Sequence, residues 1–544
     1  MLPNAICAEC SAGATDTYHI TPSPVHELLG TNLPPSTKTQ IDVAREALGD
    51  LQKDLDDLDK DILQTRIEYQ RLLAKRNALQ DYADAHKGLL GPLRRLPAEM
   101  LAEIFIHALP EYPANLSVYD APLLSQGVCR RWRDVSRSTP ELWSRICIHL
   151  GDGQFDAHLE IASAFVIRSA KHPLSISLGP LERYPTIIPE GHPALKLLVT
   201  QCERWHALRL QLPLPILREL TTAKGRLLSL NSLHLITGAV YWDIDEAILD
   251  TFAYAPRLKS FQANAHEWDD IVDTRALLLP WSCLTSLHLD ERRAGVIWAL
   301  LQDCPNLVHL EAHIGDGTPD IDVPNVKLPH LLSLSLAFQE TSAILSTLTL
   351  PILEQASFRL TTATTDPVAM DLSVTWQVRC GLDQLLSQSQ CTLSKLRLQA
   401  AYGTYALRLR DLDDCLHALP ELTELDVCQL GLDSVTLHGF MEKMTEINES
   451  RSVVPKLKHF ALCTLLKHRG PEFSWAVLAD FVKARRVVGS QFEILQSLEL
   501  TTDAEGVAAA VGEDGFNVLD TLRAFKAQGM RVEVISEDRD VRWL

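Results

Sequence analysis

A short apolar pattern that recurs from residue 205 onward constrains the fold of this chain more than any other feature of its sequence. Each full copy has an apolar residue, two intervening residues, a second apolar residue, one intervening residue and a third apolar residue. The full copies are Trp205, Leu208 and Leu210; Leu230, Leu233 and Leu235; Leu284, Leu287 and Leu289; Leu331, Leu334 and Leu336; Leu393, Leu396 and Leu398; and Leu422, Leu425 and Val427. The weaker copies are Leu258 and Phe261; Leu307 and Leu310; Leu353 and Phe358; Leu457, Phe460 and Leu462; and Leu495, Leu498 and Leu500. Copies start 22 to 40 residues apart, the scale of a repeat built from a strand and a helix.

A proline two positions before many of these copies indicates how each repeat folds. These prolines are Pro256, Pro305, Pro329, Pro351, Pro420 and Pro455. Because proline ends a helix and the chain beside it is extended, each copy predicts a helix, a break and a strand. One such repeat cannot bury its apolar face alone, so neighbours must stack into a core with parallel strands on one side and helices on the other.

Residues 201–544 therefore resemble an array of leucine-rich repeats, and the segment Cys304-Pro305-Asn306-Leu307 is similar to the cysteine-containing subtype. The resemblance implies an α/β solenoid with an extended surface that binds another macromolecule; a rigid spacer is the alternative. The end of the chain predicts a helix, a break at Gly529 and a capping strand. Residues 361–376 are interpreted as an inserted loop of the kind that carries binding specificity, and residues 151–200 as a connecting segment.

A different period governs residues 39–90, where apolar positions alternate by three and four. The seam positions are Ile41, Ala44, Leu48, Leu51, Leu55, Leu58, Ile62, Thr65, Tyr69, Leu72, Arg76, Leu79 and Ala83. A heptad seam of this length favours a coiled coil with a partner helix. Thr65 and Arg76 leave open the alternative of a long helix lying on the protein's own domains. Gly88 and the Gly91-Pro92 pair predict its end.

A third pattern, at residues 91–150, predicts three short amphipathic helices. In LRRLPAEMLAEIFIHALP, Pro97 fits the first turn of a helix, where its missing N–H costs nothing. In LLSQGVCRRWRDVSRS, apolar residues at spacings of four, four and three predict one second helix. Thr139 and Pro140 fit the cap and first turn of a third.

The order of an LPxExLxxIF stretch, a VCRRW stretch and an LW pair resembles the F-box family. A heptad helix directly before this motif is similar to the arrangement in fungal members. The resemblance implies a partner, the Skp adaptor of a cullin-based ubiquitin ligase. The residues expected to make adaptor-facing or helix-locking contacts are Leu96, Pro97, Leu101, Ile104, Phe105, Val128, Cys129, Trp132, Leu142 and Trp143.

Three helices over some 50 residues bury little of their own apolar surface, so this segment is expected to have a partner. The alternative is that Trp132 and Trp143 only fill the core between this unit and the repeats. Arginines beside Trp132 could also suggest nucleic-acid binding. The chain holds 51 Lys and Arg against 70 Asp and Glu, a net charge of −19, so we interpret these arginines as a solvated helix face and exclude broad affinity for nucleic acid or anionic membranes.

Other features of the sequence limit the cellular location of the protein and the state of its cysteines. The amino-terminal sequence MLPNAICAEC has no signal-peptide pattern, no run of apolar residues is long enough to span a bilayer, and the twelve cysteines are irregularly spaced. A cytoplasmic or nuclear protein with reduced thiols is therefore expected. Residues 1–38, rich in Pro, Ser and Thr, predict a flexible tail.

Metal and catalytic motifs are weak or missing in the sequence. Cys7 and Cys10 with His19 and His26 form only one CxxC pair, which is a poor zinc signal. Acidic clusters that begin at His266 and Asp316 are typical of solvated loops in an acidic chain. The sequence has no GxSxG, HExxH, Walker A or GxGxxG motif. We therefore predict a non-enzymatic protein without a metal or cofactor.

Two functions fit these observations. The first is a substrate receptor of a Skp–cullin–F-box ubiquitin ligase, in which the F-box binds the adaptor and the repeats capture a protein target. The second is a coiled-coil and repeat scaffold with no role in ubiquitin transfer.

Overall fold

The computed structural model divides into two units, Met1–Ala98 and Glu99–Leu544. The residues that it describes are 23–29, 31, 33–110, 119–150, 155–179, 188, 190–237, 249–265, 277–290, 294–314, 324–338, 345–360, 378–400, 415–428, 434–445, 453–464, 475–486, 492–502, 518–536 and 541–542. Most of the predicted tail, the CxxC pair, both acidic clusters and the loop 361–376 lie outside this description.

Helix α1 (Lys38–Leu90) fills most of the described part of the first unit and confirms the helix predicted from the heptads. A capping box starts it: the Thr37 hydroxyl accepts the Gln40 N–H at 3.3 Å, and the Gln40 side-chain oxygen accepts the Thr37 N–H at 3.2 Å. The Gln40 N–H also donates to the Thr37 carbonyl at 3.1 Å, so both side-chain and backbone acceptors satisfy the start of the helix. The helix continues through Gly88 and ends before Gly91 and Pro92. None of its residues is buried.

Four short helical segments follow. They are α2 (Ala98–His107), α3 (Leu123–Val128), α4 (Arg130–Ser138) and a 3-10 helix (Pro140–Trp143). The predicted second helix is thus two helices, because Cys129 between them is fully extended, with φ −159° and ψ 172°. The Cys129 sulfur accepts the Trp132 N–H at 3.5 Å and so caps α4. The residues at spacings of four, four and three do not share one helical face, and the expectation of a single helix was wrong.

One sheet dominates the second unit, and fifteen of its strands lie in the described residues. These strands are β1 (Arg145–His149), β2 (Leu174–Gly179), β3 (Trp205–Leu210), β4 (Ser232–Thr237), β5 (Ser260–Ala265), β6 (Ser286–Asp290), β7 (His309–His313), β9 (Ser333–Phe338), β11 (Gln355–Leu360), β12 (Lys395–Ala400), β13 (Glu424–Cys428), β14 (His459–Thr464), β15 (Ser497–Thr502), β16 (Arg531–Ser536) and β17 (Val541–Arg542). A small parallel sheet pairs β8 (Val326–Lys327) with β10 (Leu348–Thr349).

Strands β1 to β16 of the large sheet pair in parallel and in chain order, one strand per repeat. Each of the eleven sequence copies lies at one of these strands, which confirms the predicted α/β solenoid. A second ladder runs just before the strands: the Thr285 N–H donates to the Lys259 carbonyl at 2.8 Å, and the Val308 N–H donates to the Thr285 carbonyl at 2.8 Å. The repeats are therefore locked to each other through backbone groups as well as apolar side chains.

The core lies on one face of this sheet. Residues of the pattern align across neighbouring strands in buried rows, for example Leu208, Leu233, Phe261, Leu287 and Leu310. The helices of the array are α5 (Phe155–Arg168), α6 (Pro193–Thr200), α7 (Leu214–Glu219), α8 (Ala294–Leu301), α9 (Val378–Ser389), α10 (Ser434–Thr445), α11 (Trp475–Ala484) and α12 (Val518–Ala527).

The array begins earlier than the sequence indicated. Residues 151–200, interpreted as a connecting segment, contribute α5, β2 and α6, and β2 pairs with both β1 and β3. The strand within this segment was missed because LSISLG has Pro173 where the first apolar residue of the pattern would lie. Trp143, Ile146 and Ile148 at β1 do have the spacing of the later copies and were overlooked. The first strand of the sheet thus comes directly after the 3-10 helix of the preceding motif.

The carboxy-terminal end closes largely as expected. Helix α12 stops before Gly529, whose φ of +88° favours glycine, and β16 follows. Strand β17 then pairs with β16 in the antiparallel direction, so it covers part of the last open edge of the sheet.

A buried arginine fastens the repeats that precede this cap. Arg485 has no solvent exposure, and its guanidinium donates to the carbonyls of Met444, Val454 and Val453 at 3.0, 2.9 and 2.8 Å. Its guanidinium carbon lies 3.9 Å from the ring centroid of Phe492. Burial lowers the pKa of Arg485 to about 9. The contacts join the end of α10 to the chain that leads into β14.

Candidate functional site

The segment from α2 to β1 is organised around a small core of its own. Leu101 and Phe105, one helical turn apart on α2, are buried. The Phe105 ring packs against Trp132 of α4, with ring centroids 4.8 Å apart. Arg133 ties α4 to α3, because its Nε donates to the Gln126 carbonyl at 2.9 Å. These contacts fix the three helices relative to each other.

Trp143 joins this helical segment to the first repeat. Its indole N–H donates to the Ser136 carbonyl at 2.8 Å, and its ring meets the Phe165 ring of α5 edge to face at 5.0 Å. The Arg168 guanidinium lies over the indole, 4.3 Å from its centroid. Trp143 and Leu142 are both fully buried. Trp143 therefore fills the core between the motif and the repeats, which was the alternative interpretation of this residue.

Apolar side chains remain exposed on two of these helices despite that core. Met100 and Ile104 lie one turn apart on α2 and are 52% and 43% exposed. Leu124 and Val128 lie one turn apart on α3 and are 47% and 54% exposed. Since residues four apart lie on the same side of a helix, each pair forms an apolar stripe that the described part of the chain leaves open to solvent.

The ten residues that the resemblance selected thus fall into two groups. Leu101, Phe105, Leu142 and Trp143 are buried, whereas Ile104, Val128, Cys129 and Pro97 are exposed and Leu96 and Trp132 are half-buried. Only the exposed and half-buried side chains can touch a partner without rearrangement. Sequence reasoning missed Met100 and Leu124, although their spacing of four from Ile104 and Val128 was a usable signal.

The exposed face of the sheet is the second candidate site. Strand positions between the buried rows align in polar rows, and one of them contains Arg209, His234, Gln262, His288 and Glu311. Such alignment follows from the parallel register, because each strand repeats the same inward and outward alternation. No single repeat in the sequence reveals these rows.

A hydrogen-bonded chain crosses β4 to β7 on this face. The Asn264 amide lies 3.0 Å from Nε2 of His234 and 3.3 Å from Nε2 of His288, and Nδ1 of His288 lies 2.9 Å from the Glu311 carboxylate. Asn264 can therefore accept from His234 and donate to His288, which leaves the His288 Nδ1–H to donate to Glu311. Burial, with a smaller contribution from Arg209, lowers the pKa of His234 to about 4. His234 is consequently neutral near pH 7.

Two grooves on this face differ in charge. The groove over β1 to β5, about 500 Å³, is lined by Arg145, Arg209, His234 and small polar and apolar residues, and no carboxylate is among the described residues of its lining. The groove over β9 to β15, about 390 Å³, contains opposite charges. There Lys395 pairs with Glu424 at 2.8 Å, and Arg397 pairs with Asp426 at 2.5 Å. The first groove is thus open to an acidic group, while charges in the second neutralise each other.

Two buried histidines lie behind the first repeats. His192 caps α6 by accepting the Ala194 N–H on Nδ1 at 3.2 Å, so its proton is on Nε2, which lies 3.3 Å from Nδ1 of His158. Burial lowers the pKa of both histidines. The neighbouring His158 makes a smaller contribution to the lowered pKa of His192. The pair holds α5 against α6 in its neutral form.

Metal-binding clusters and membrane-spanning helices are both absent from the described ranges. No group of three or more His, Cys, Asp or Glu there is placed to hold a metal ion. The ligands suggested by Cys7, Cys10 and His19 lie outside those ranges, as do the acidic clusters. Among the described helices, none has the length and apolar character needed to cross a membrane.

Comparisons with known proteins identify the helical segment. Residues 93–149, from just before α2 to the end of β1, match the model of the F-box-like family. The protein is therefore an α/β solenoid of the leucine-rich-repeat type that carries an F-box-like domain at 93–149.

Similarity over the whole chain is slight. No curated protein sequence matches it. Among solved structures it is similar to the leucine-rich repeat-containing protein LegL7 from Legionella pneumophila, with 11% identity, coverage of 71% of this chain and 98% of that chain, and a TM-score of 0.29. The repeat assignment rests on the strand register and not on this similarity.

Proposed function

We propose that this protein is a substrate receptor of a Skp–cullin–F-box ubiquitin ligase. Its F-box-like domain binds a Skp-type adaptor, and through it a cullin, while the repeat array holds a protein target. The chain itself performs no catalysis. Binding the target on the same assembly as a ubiquitin-conjugating enzyme raises the effective concentration of one near the other.

The observation that carries this proposal is the pair of exposed apolar stripes, Met100 with Ile104 and Leu124 with Val128. Large apolar side chains that lose water on binding dominate protein interfaces. Trp132 and Cys129 would lie at the edge of this surface, and Leu96 and Pro97 precede it in the chain. Leu101, Phe105, Leu142 and Trp143 support the surface from within.

The test is capture of purified Skp-type adaptor by the full chain. Ile104→Asp combined with Val128→Asp places two charges in the proposed interface, and we expect the dissociation constant to rise at least about 100-fold. Leu228→Asp is the matched control, because Leu228 is a similarly exposed apolar residue, at 58%, in the repeats. The control should bind like the unmodified chain. Equal binding by all three proteins would refute the assignment.

For the target, we propose the exposed sheet face, and in particular the groove around Arg209, where the described lining residues include no carboxylate that would compete for the guanidinium. An acidic segment of a target protein fits this chemistry. Affinity capture with the full chain and with Arg209→Glu, followed by mass spectrometry, tests it. A target lost with Arg209→Glu while the adaptor remains bound supports this groove; an unchanged target set contradicts it.

The scaffold alternative is favoured by one observation, the exposed seam of α1. It predicts complexes that contain structural partners and no cullin. If cullin is recovered with the intact chain but not with Ile104→Asp combined with Val128→Asp, the result supports the substrate receptor over the scaffold.

A further inference from the structure

We infer that α1 pairs with α1 of a second copy of this chain, in antiparallel orientation. Residues of its heptad seam are exposed along the whole helix, among them Leu48, Leu55, Ile62, Tyr69 and Leu79. Fifty-three residues at 1.5 Å each make a rod about 80 Å long. An apolar stripe on a helix of this length needs a partner of similar length, and a second α1 provides one.

The charge distribution along α1 selects the orientation. Residues 38–63 contain eight Asp and Glu against four Lys and Arg, whereas residues 64–90 contain three against five. A parallel pair would place the acidic half beside the acidic half. An antiparallel pair places each acidic half beside the basic half of the other copy, which lowers the electrostatic energy.

The seam residues also favour the antiparallel orientation. In a parallel pair each seam residue faces its own copy, so Arg76 would face a second Arg76 in the apolar seam. In an antiparallel pair that overlaps the full helix, Arg76 instead lies beside Leu51, and its aliphatic stem can cover that side chain. The same register places Leu48 with Leu79 and Leu55 with Leu72. Thr65 then lies near the centre, beside Ile62.

Charged residues that flank the seam lie beside opposite charges of the other copy in the antiparallel arrangement. In the antiparallel register Asp54 lies beside Lys75 of the other copy, and Asp59 beside Arg66; one unfavourable contact, Asp61 with Glu68, remains. Within the described chain no ion pair is formed by Asp54, Asp59, Arg66 or Lys75. Other charges of α1 do pair along the helix, as Asp57 does with Lys60 at 2.7 Å. In a parallel pair Asp54 would instead lie beside Asp59.

The experiment is sedimentation equilibrium of the full chain and its charge variants. Asp54→Lys removes two attractive contacts per dimer and adds two repulsive ones, so we expect the dimer dissociation constant to rise about tenfold. Asp54→Lys combined with Lys75→Glu restores the pairs and should return the constant to within about threefold of the unmodified value. A parallel dimer would respond to Asp54→Lys with tighter association, since Asp54 and Asp59 no longer repel, and that result overturns the orientation.

A seam variant tests whether α1 is the interface at all. Leu55→Asp should raise the dissociation constant at least about 100-fold. Ile67→Asp is its matched control, because Ile67 is outside the seam and similarly exposed, at 58% against 60% for Leu55; it should leave association unchanged. Circular dichroism at 222 nm verifies that both variants keep their helix content. A chain that stays monomeric at all concentrations, or loses dimers equally in both variants, overturns the inference.

Discussion

The indole of Trp143 meets the ring of Phe165 edge to face, with ring centroids 5.0 Å apart. Trp143 belongs to the F-box-like domain and Phe165 to the first helix of the array. The two parts therefore share one core. The surface proposed for the adaptor and the surface proposed for the target are in this way parts of a continuous body.

Trp143→Ala should destabilise both parts together. The change removes a fully buried aromatic side chain, its hydrogen bond to the Ser136 carbonyl and its contact with Arg168. We expect a loss of about 3–5 kcal/mol. Thermal unfolding followed by tryptophan fluorescence and by circular dichroism measures it. Melting of the array at an unchanged temperature would show that the shared core contributes little.

Leu101→Ala and Met100→Ala should differ sharply although the residues are neighbours on α2. Leu101 is fully buried, so its truncation should cost about 2–5 kcal/mol of stability. Met100 is half exposed, so its truncation should change stability by less than about 0.5 kcal/mol and act on adaptor binding instead. Denaturant titration of each variant checks this. Similar losses for both would mean that Met100 is not a surface residue.

Arg485→Met should destabilise the carboxy-terminal repeats. It keeps an apolar stem but removes the donors to the Met444, Val453 and Val454 carbonyls, so we expect a loss of about 2–4 kcal/mol. The matched control is Arg523→Met, an exposed arginine paired with Asp520 on α12, where the loss should be under about 0.5 kcal/mol. Hydrogen exchange would locate the effect at α10 and β14. Unchanged protection there speaks against a fastening role.

Acidification should weaken the first repeats through His158 and His192. Burial lowers the pKa of both, so their contribution is fully present above the ordinary value of about 6.5 and is lost as the pH falls below it. The melting temperature should therefore drop between about pH 7 and about pH 5.

His192→Asn keeps an N-cap acceptor without an imidazole and should reduce this drop, whereas His107→Asn, at an exposed residue of α2, should leave it unchanged. Melting curves at several pH values measure the effect. An identical pH dependence in all three proteins would exclude the histidine pair as its source.

Local sequence patterns identified the principal building blocks of this protein. A heptad period defines a long helix whatever surrounds it, which is why α1 was predicted almost to its ends. The recurring apolar pattern, preceded by proline in six copies, located eleven strands, because the side chains at its positions must enter the common core. The LPxExLxxIF, VCRRW and LW stretches located the F-box-like domain.

Tertiary structure alone decided which of these residues remain available. Leu101 and Ile104 lie three apart on one helix, yet one is buried and the other exposed, because burial depends on what packs against each side of α2. The break at Cys129 depends on a sulfur cap that spacing does not report. The polar row from Arg209 to Glu311 exists only because separate repeats stack in register, and no local pattern encodes which distant side chains become neighbours.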